Sequence, residues 1–288
     1  LGFGGVEIVQ PMLPAPKPAK EGGDDQPPFG WSGLAIPKRR SSAMPGLDGN
    51  DRQRDRLEKL QADKLAKAFR KVMSDVVPSG TTPENISAQV AVQRYMTNQS
   101  VIRDALVEML MDAAVDLGGK TGLAQVEWVT GTGKAAIGLS WDLVSQDVLN
   151  WILGTAIQAG YADSLTESVG QTSSVQIRRY VSEWASNGLP LRVLIGNLQS
   201  TVFSAQRAQL IATTEVTRAY AEGNRAAWRA SGIIERMRWQ TSADEMVCPV
   251  CGLLAGQVVE VGADGFGADN AFPPVHPRCR CWVTPFVG

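Results

Sequence analysis

Cysteine is absent from the first 247 residues of this 288-residue chain, and histidine occurs once, at position 276. Soft-ligand metal chemistry, disulfides and a histidine base are therefore confined to the C-terminal end. No apolar run approaches the roughly 18–20 residues that a membrane span needs. The nearest, Ala105 to Leu117, is interrupted by Glu108, Asp112 and Asp116. No basic segment followed by an apolar stretch opens the chain, so a secretory signal is not expected. Charge of one sign is missing too: the formal net charge is −1, with 20% charged and 44% hydrophobic residues. That balance describes an ordinary soluble globular protein, neither disordered nor dedicated as a whole to nucleic acid. The length allows one large core or two lobes.

What is present is concentrated. Four cysteines and the histidine follow the pattern Cys248-x2-Cys251-x24-His276-x2-Cys279-x-Cys281. Two ligands three positions apart turn the chain around a tetrahedral ion, and a second group returned by a loop completes the shell. The spacing predicts a structural Zn²⁺ site, with two disulfides or reduced thiols as the other readings; the lack of an export signal favours metal. Five donors compete for four positions. Cys248, Cys251, His276 and Cys279 are the first choice, with Cys281 replacing Cys279 or His276 as the other. A strand-like Cys279 and Cys281 would point to opposite sides, which would leave one spare. A lobe of about 50 residues buries little core alone, whereas structural zinc contributes on the order of 10–16 kcal/mol in small peptides. The metal is expected to decide whether that lobe is ordered. Pro273-Pro274 and Pro277 restrict the backbone beside His276.

Residues 1–50 hold eight of the sixteen prolines and nine glycines. They read as a disordered Pro/Gly-rich tail or linker, polyproline II over Pro11 to Pro18. From Asp51 the pattern turns helical. Leu65, Phe69, Val72 and Val76 recur at helical spacing up to Pro78-Ser79-Gly80, and residues 51–71 carry eight Arg/Lys against four Asp/Glu. Thr82 with Pro83 is expected to start a second helical region. Its stripe, Ile102, Leu106, Met109, Ala113 and Leu117, should end at Gly118-Gly119. Residues 120–140 read as a Gly/Thr-rich loop with a possible short hairpin; Gly131 to Lys134 lacks phosphate-loop spacing.

Val144, Val148, Trp151, Ile152, Thr155 and Ala159 predict another helix. Ser164-x-x-Glu167 reads as a capping box for the next, which carries Ile177, Val181 and Trp184 to Asn187-Gly188. Pro190 opens a short helix bearing Leu191, Leu194, Ile195 and Leu198. A long helix from about Ser204 to Ala230 has two stripes. Ala212, Val216, Ala219, Gly223, Ala226 and Ala230 form a small-residue face suited to close helix approach. Glu215, Arg218, Glu222, Arg225 and Arg229 form a charged face, read as a solvated ion-pair ladder or an oligomer contact. Gly232 ends it. Strands are expected near Ile233–Trp239, Val258–Val261 and Cys281–Phe286; the loop Gly262 to Asn270 lacks EF-hand spacing. The fold class is α+β, mostly α: a helical body over residues 51–200, with a small C-terminal β-rich, zinc-stabilised lobe.

Several short segments occur together in order. They are Ile211-Ala212-Thr213-Thr214-Glu215, Ala219-Tyr220-Ala221-Glu222-Gly223-Asn224, Ser231-Gly232, Trp239, Cys248-Pro249-Val250-Cys251, Leu254 with Gly256, and Pro273-Pro274-Val275-His276-Pro277-Arg278-Cys279-Arg280-Cys281. This combination resembles the phage Mu F-like head morphogenesis family over roughly residues 190–288. The resemblance implies that residues 201–288 form a Mu F-like domain. It further implies a minor capsid protein of a tailed double-stranded DNA phage or prophage, acting at the portal vertex in procapsid assembly. The partners it implies are the portal protein, other capsid or scaffold proteins and phage DNA, with no membrane; the location is the virion, or the host cytoplasm during assembly. Members can be joined to portal proteins or to toxin domains, and the Pro-rich start could be a junction of the first kind.

An enzyme needs a free base, and a metal-bound His276 cannot shuttle protons. Asp244 and Glu245 could serve an open zinc site as a metal-dependent hydrolase, but five donors favour a closed one, so no enzyme is expected. The other alternative is a zinc-containing DNA-binding protein for genome packaging or ejection. Arg236, Arg238, Arg278 and Arg280 would supply charge, and Trp239 and Trp282 stacking faces.

Overall fold

The computed structural model describes residues 44–45, 52–131, 141–154, 160–241 and 247–287. The chain divides into Leu1–Lys38 and Arg39–Gly288, and every described residue belongs to the second unit. The expected tail therefore lies outside the described residues, apart from the buried Met44 and Pro45, whose carbonyl accepts from Gln125 Nε2 at 2.7 Å. Helix α1 runs Arg52–Val76, α2 Ala88–Thr97 and α3 Gln99–Met111. A π-helical segment, Asp112–Gly119, continues α3 into α4, Lys120–Thr130. Then follow α5 Trp141–Leu153, α6 Tyr161–Ser186, α7 Leu191–Ser200, α8 Ala205–Ser231, β1 Arg236–Gln240, α9 Pro249–Leu254, β2 Val258–Glu260 and β3 Trp282–Phe286.

The 3.6-residue repeats mark the core faithfully. Leu65, Phe69, Val72 and Val76 of α1 are buried together with Ile102, Leu106 and Met109 of α3, Val148 and Ile152 of α5, and Ile177 and Val181 of α6. Helix α8 packs against α1, the π-helical segment and α4. Its small-residue stripe is the contact: Ala212, Val216 and Ala219 are fully buried, and Gly223 faces the π-helical segment. A Cβ on Gly223 would lie 2.1 Å from the Ala114 carbonyl oxygen. From the other side, a Cβ on Gly118 would lie 2.5 Å from the Tyr220 oxygen, and one on Gly122 2.7 Å from the Ala227 Cβ.

This corrects the reading of Gly118-Gly119 as a helix stop and of residues 120–130 as loop. The glycines remove side chains at a helix crossing, so the stabilisation from backbone-to-backbone packing outweighs their poor helix propensity of about 1 kcal/mol each. The helix ends instead at Gly131, whose φ of 71° is left-handed. Residues 132–140, with the possible hairpin, lie outside the described residues, as do Thr155 and Ala159.

Two predicted starts also move. Thr82 opens a turn rather than a helix: Asn85 accepts from the Thr82 N–H and donates to the Gly80 carbonyl. The cap is Ser87, whose hydroxyl accepts from Val90 N at 3.2 Å. The Ser164 capping box is unused, because α6 already begins at Tyr161 behind Gly160.

Beyond Gly232, at φ 62°, the chain enters a three-stranded antiparallel sheet of order β2-β1-β3. Met237 pairs with Val259 on one side and Pro285 on the other. The Trp239 N–H points to β2, bonding Gln257 O; by alternation the Met237 N–H does so too, and Pro285 sits where β3 needs no donor. The lobe does not fold on its own apolar surface alone. Trp239, Cys251, Phe266, Cys279, Cys281 and Val283 pack with Ala221 and Trp228 of α8 and Val126 of α4. Trp228 Nε1 donates to Gln125 Oε1 at 3.0 Å.

The charged stripe of α8 forms the expected ion pairs, Glu215 with Arg218 at 3.3 Å and Glu222 with Arg225 at 3.8 Å, but Glu215 and Arg225 are buried rather than solvated. Arg225 is buried and donates to the carbonyls of Val261 (3.2 Å) and Ala263 (2.7 Å). Its guanidinium lies 4.9 Å from the Phe272 ring centroid. Arg229 donates to Val261 O at 3.3 Å. Glu215 is buried, taking the Tyr161 hydroxyl at 2.7 Å and Arg218 at 3.3 Å. Sequence spacing identified the stripe; only the fold supplied the partners, lobe carbonyls for one half and α6 for the other.

Candidate metal centre

The first knuckle is a short helix. Cys248 caps α9, its sulfur accepting from Cys251 N at 3.3 Å, and Pro249 occupies the first turn, where no donor is needed. This places Cys248 and Cys251 on one side of the turn while Val250 and Leu253 face solvent. The second knuckle is a turn from His276 to Cys279, closed by Cys279 N donating to His276 O at 3.1 Å. Arg278, its third residue, has a φ of 60°. The chain stays non-regular through Cys281, and β3 begins only at Trp282.

The alternation expected of Cys279 and Cys281 is therefore absent, and both sulfurs turn to the same place. Among the described residues, Cys248, Cys251 and His276 form one group of potential ligands, and Cys251, Cys279 and Cys281 another, each with its donor atoms within 4.8 Å. Cys251 belongs to both. Its sulfur is 3.4 Å from His276 Nε2 and 3.7 Å from the Cys279 sulfur. The cysteines are unbonded to one another. For a tetrahedral ion with metal–sulfur distances of about 2.3 Å and metal–nitrogen distances of about 2.0 Å, the edges are about 3.8 Å and 3.5 Å. The donor set can hold a metal at these spacings.

The electrostatics agree. The Cys251 N–H, pointing at Cys248, holds that thiol below its ordinary value, and the Cys281 thiol donating to Cys279 pulls Cys279 down to about 5. Burial pushes Cys251 up to about 12, and the hydrogen bond to Cys279, with burial, pushes Cys281 up. Four adjacent thiolates cannot share a buried site without a cation; a metal ion is what would allow all to deprotonate. His276 is raised first by its contact with the Pro277 carbonyl, 2.9 Å from Nδ1. A carbonyl only accepts, so Nδ1 carries a proton, which leaves Nε2 as the nitrogen that faces Cys251 and could bind a metal.

Other sequence candidates fare differently. Trp239 and Trp282 are buried, so neither offers the base-stacking face expected for DNA. Arg236 and Arg238 lie over the Phe286 ring. Asp244 and Glu245 lie outside the described residues. Thr214, within the Ile211–Glu215 segment, contacts the second knuckle through its hydroxyl, which accepts from Arg278 N at 3.2 Å. A threonine in mid-helix carries no sequence signal for such a long-range bond.

A Cys/His centre carried on a helical body is the structural class these residues define. Residues 175–284, from mid-α6 into β3, match the family described as Phage Mu protein F like protein. The match contains α8, both knuckles and all five donors, and it bears out the family likeness read from the motifs. It suggests a phage head morphogenesis protein. No curated protein and no solved structure matches the chain. Among the described residues no helix is long and apolar enough to cross a membrane.

Proposed function

We propose that this chain is a non-enzymatic minor capsid protein of a tailed double-stranded DNA phage or prophage, acting at the portal vertex during procapsid assembly. Its partners on this reading are the portal protein and neighbouring capsid or scaffold proteins, and it resides in the virion or, during assembly, in the host cytoplasm. The carrying observation is the family match over residues 175–284, which spans one continuous piece of architecture from α8 through the lobe. Co-expression with the portal protein tests it: the two should co-purify as rings, and a chain that stays separate at every stage of assembly defeats the reading.

The centre is assigned to structural Zn²⁺. Cys248, Cys251 and Cys279 would hold it with His276 or Cys281 in the fourth position, and a bound ion would supply no reaction, only a cross-link between two knuckles. Two groups of three soft donors that share Cys251, and the contact of His276 Nδ1 with the Pro277 carbonyl, support this. Elemental analysis should find about one zinc per chain. A metal-free preparation with no free thiols would show disulfides instead.

A further inference from the structure

We infer that Thr214 of α8 is a positioning residue for the metal centre, acting through a single peptide plane; this rests on the zinc reading above. The unit joining Pro277 to Arg278 is gripped at both ends. Its carbonyl oxygen accepts from His276 Nδ1 at 2.9 Å, and its N–H donates to the Thr214 hydroxyl at 3.2 Å. That hydroxyl spends its own proton on the Leu210 carbonyl, at 2.8 Å, which leaves its lone pairs free to accept.

The turn needs this grip. A turn with Pro at its second residue and a left-handed third residue, as in type II, favours glycine or asparagine at the third. Here that residue is Arg278, at φ 60°, where a side chain is strained. Rotating the same peptide plane gives the type I turn that arginine prefers and swings the Pro277 carbonyl away from His276. Thr214 selects the orientation that keeps Nδ1 protonated and Nε2 directed at Cys251, 3.4 Å away. The long helix that packs the body thus also orients the histidine donor, through a bond from Arg278 that spans 64 positions of sequence.

The chain's single histidine makes the test direct. In zinc-loaded full-length protein labelled with ¹⁵N-histidine, the imidazole nitrogen shifts report which nitrogen carries hydrogen and which binds metal. Wild type should show Nδ1–H with metal-bound Nε2. Thr214→Val keeps the shape and β-branching but not the acceptor. It should blur that tautomer and lower zinc affinity, read by competition with a chromogenic chelator, by about 10–100-fold. Thr214→Ser should restore both. In an Arg278→Gly background, which accepts the left-handed turn unaided, Thr214→Val should lose much less affinity.

Wild-type tautomer and affinity in Thr214→Val would overturn the inference while leaving the zinc site standing. So would an Arg278→Gly background that gives no rescue, since Thr214 would then act through the packing of α8. Wild-type protein that binds zinc through a histidine-free set also overturns it. Wild-type protein that binds no zinc removes both readings together.

Discussion

Between Arg52 and Ser231 the chain buries side chains such as Phe69, Leu106, Ile152, Ile177 and Val216 across several helices, with glycines letting α8 sink against its neighbours. Beyond Gly232 the described part of the lobe has three short strands and the short helix α9, and its core takes in sulfur and borrowed indole: Cys251, Cys279, Cys281 and Trp228. It is tied down by polar contacts from Arg225, Arg229 and Thr214 to its backbone. The helical body can be stable by burial. The lobe combines a borrowed core with a donor cluster that a cation would close, so the two regions should fail under different perturbations.

Stripping metal should separate them most. With EDTA, amide hydrogen exchange across residues 233–287 and the Trp239 environment should change strongly, while α1, α3 and α6 keep their protection. A structural zinc supplies on the order of 10 kcal/mol in small domains, more than any single contact here. Uniform exchange before and after chelation would remove the distinction.

The converse perturbation is Gly223→Leu. Its Cβ would start 2.1 Å from the Ala114 carbonyl oxygen, and backbone cannot yield as a side-chain tip can. Urea denaturation should show a loss of about 3 kcal/mol, the upper end for overpacking, with the body failing first. A variant as stable as wild type would mean the crossing is looser than described.

A third effect arises at the seam. Glu58 of α1 lies beside Arg54, Thr213 and Arg280, and burial outweighs these partners, raising its carboxyl to about 7. Folded Glu58 therefore keeps its proton where the unfolded chain loses it near the ordinary 4.5. Its contribution is fully present below about 4.5 and lost as pH rises through about 7, on the order of 2–3 kcal/mol across that window. Urea midpoints at pH 5 and pH 8 should show a flatter profile for Glu58→Gln than for wild type. Equal slopes would show that Glu58 is solvated.

The smallest effect is expected at the exposed Lys120–Asp116 pair, 2.6 Å apart one turn from each other. Lys120→Ala should change stability by about 0.5 kcal/mol or less, since exposed pairs are screened and their ordering costs entropy. A larger loss would assign the π-helical junction a stabilising role that its glycine contacts alone do not explain.

Much of this was legible in the chain. The apolar repeats gave the helix faces, the small-residue stripe gave the packing surface of α8, and the valine-rich segments lie at the strands. The misread positions have one cause. Gly118 and Gly119 break helices when judged locally, yet here both are buried, and at Gly118 the close approach of α8 makes the absence of Cβ the requirement. Thr82 and Ser164 are good caps by type, but Ser87 and Gly160 were placed better by the neighbouring chain. The charged face of α8 looked wet because its acceptors, the carbonyls of Val261 and Ala263, have no side-chain signature.

Residue types and their spacing were sufficient, unaided, to specify which donors exist and that they lie in two knuckles, because ligand chemistry belongs to the side chain. How those donors face one another was decided only by packing: a left-handed Arg278, a peptide plane fixed between Thr214 and His276, and a strand that begins at Trp282, after the last cysteine. Backbone direction depends on distant hydrogen-bond partners, and linear order does not reveal a partner brought near only by folding.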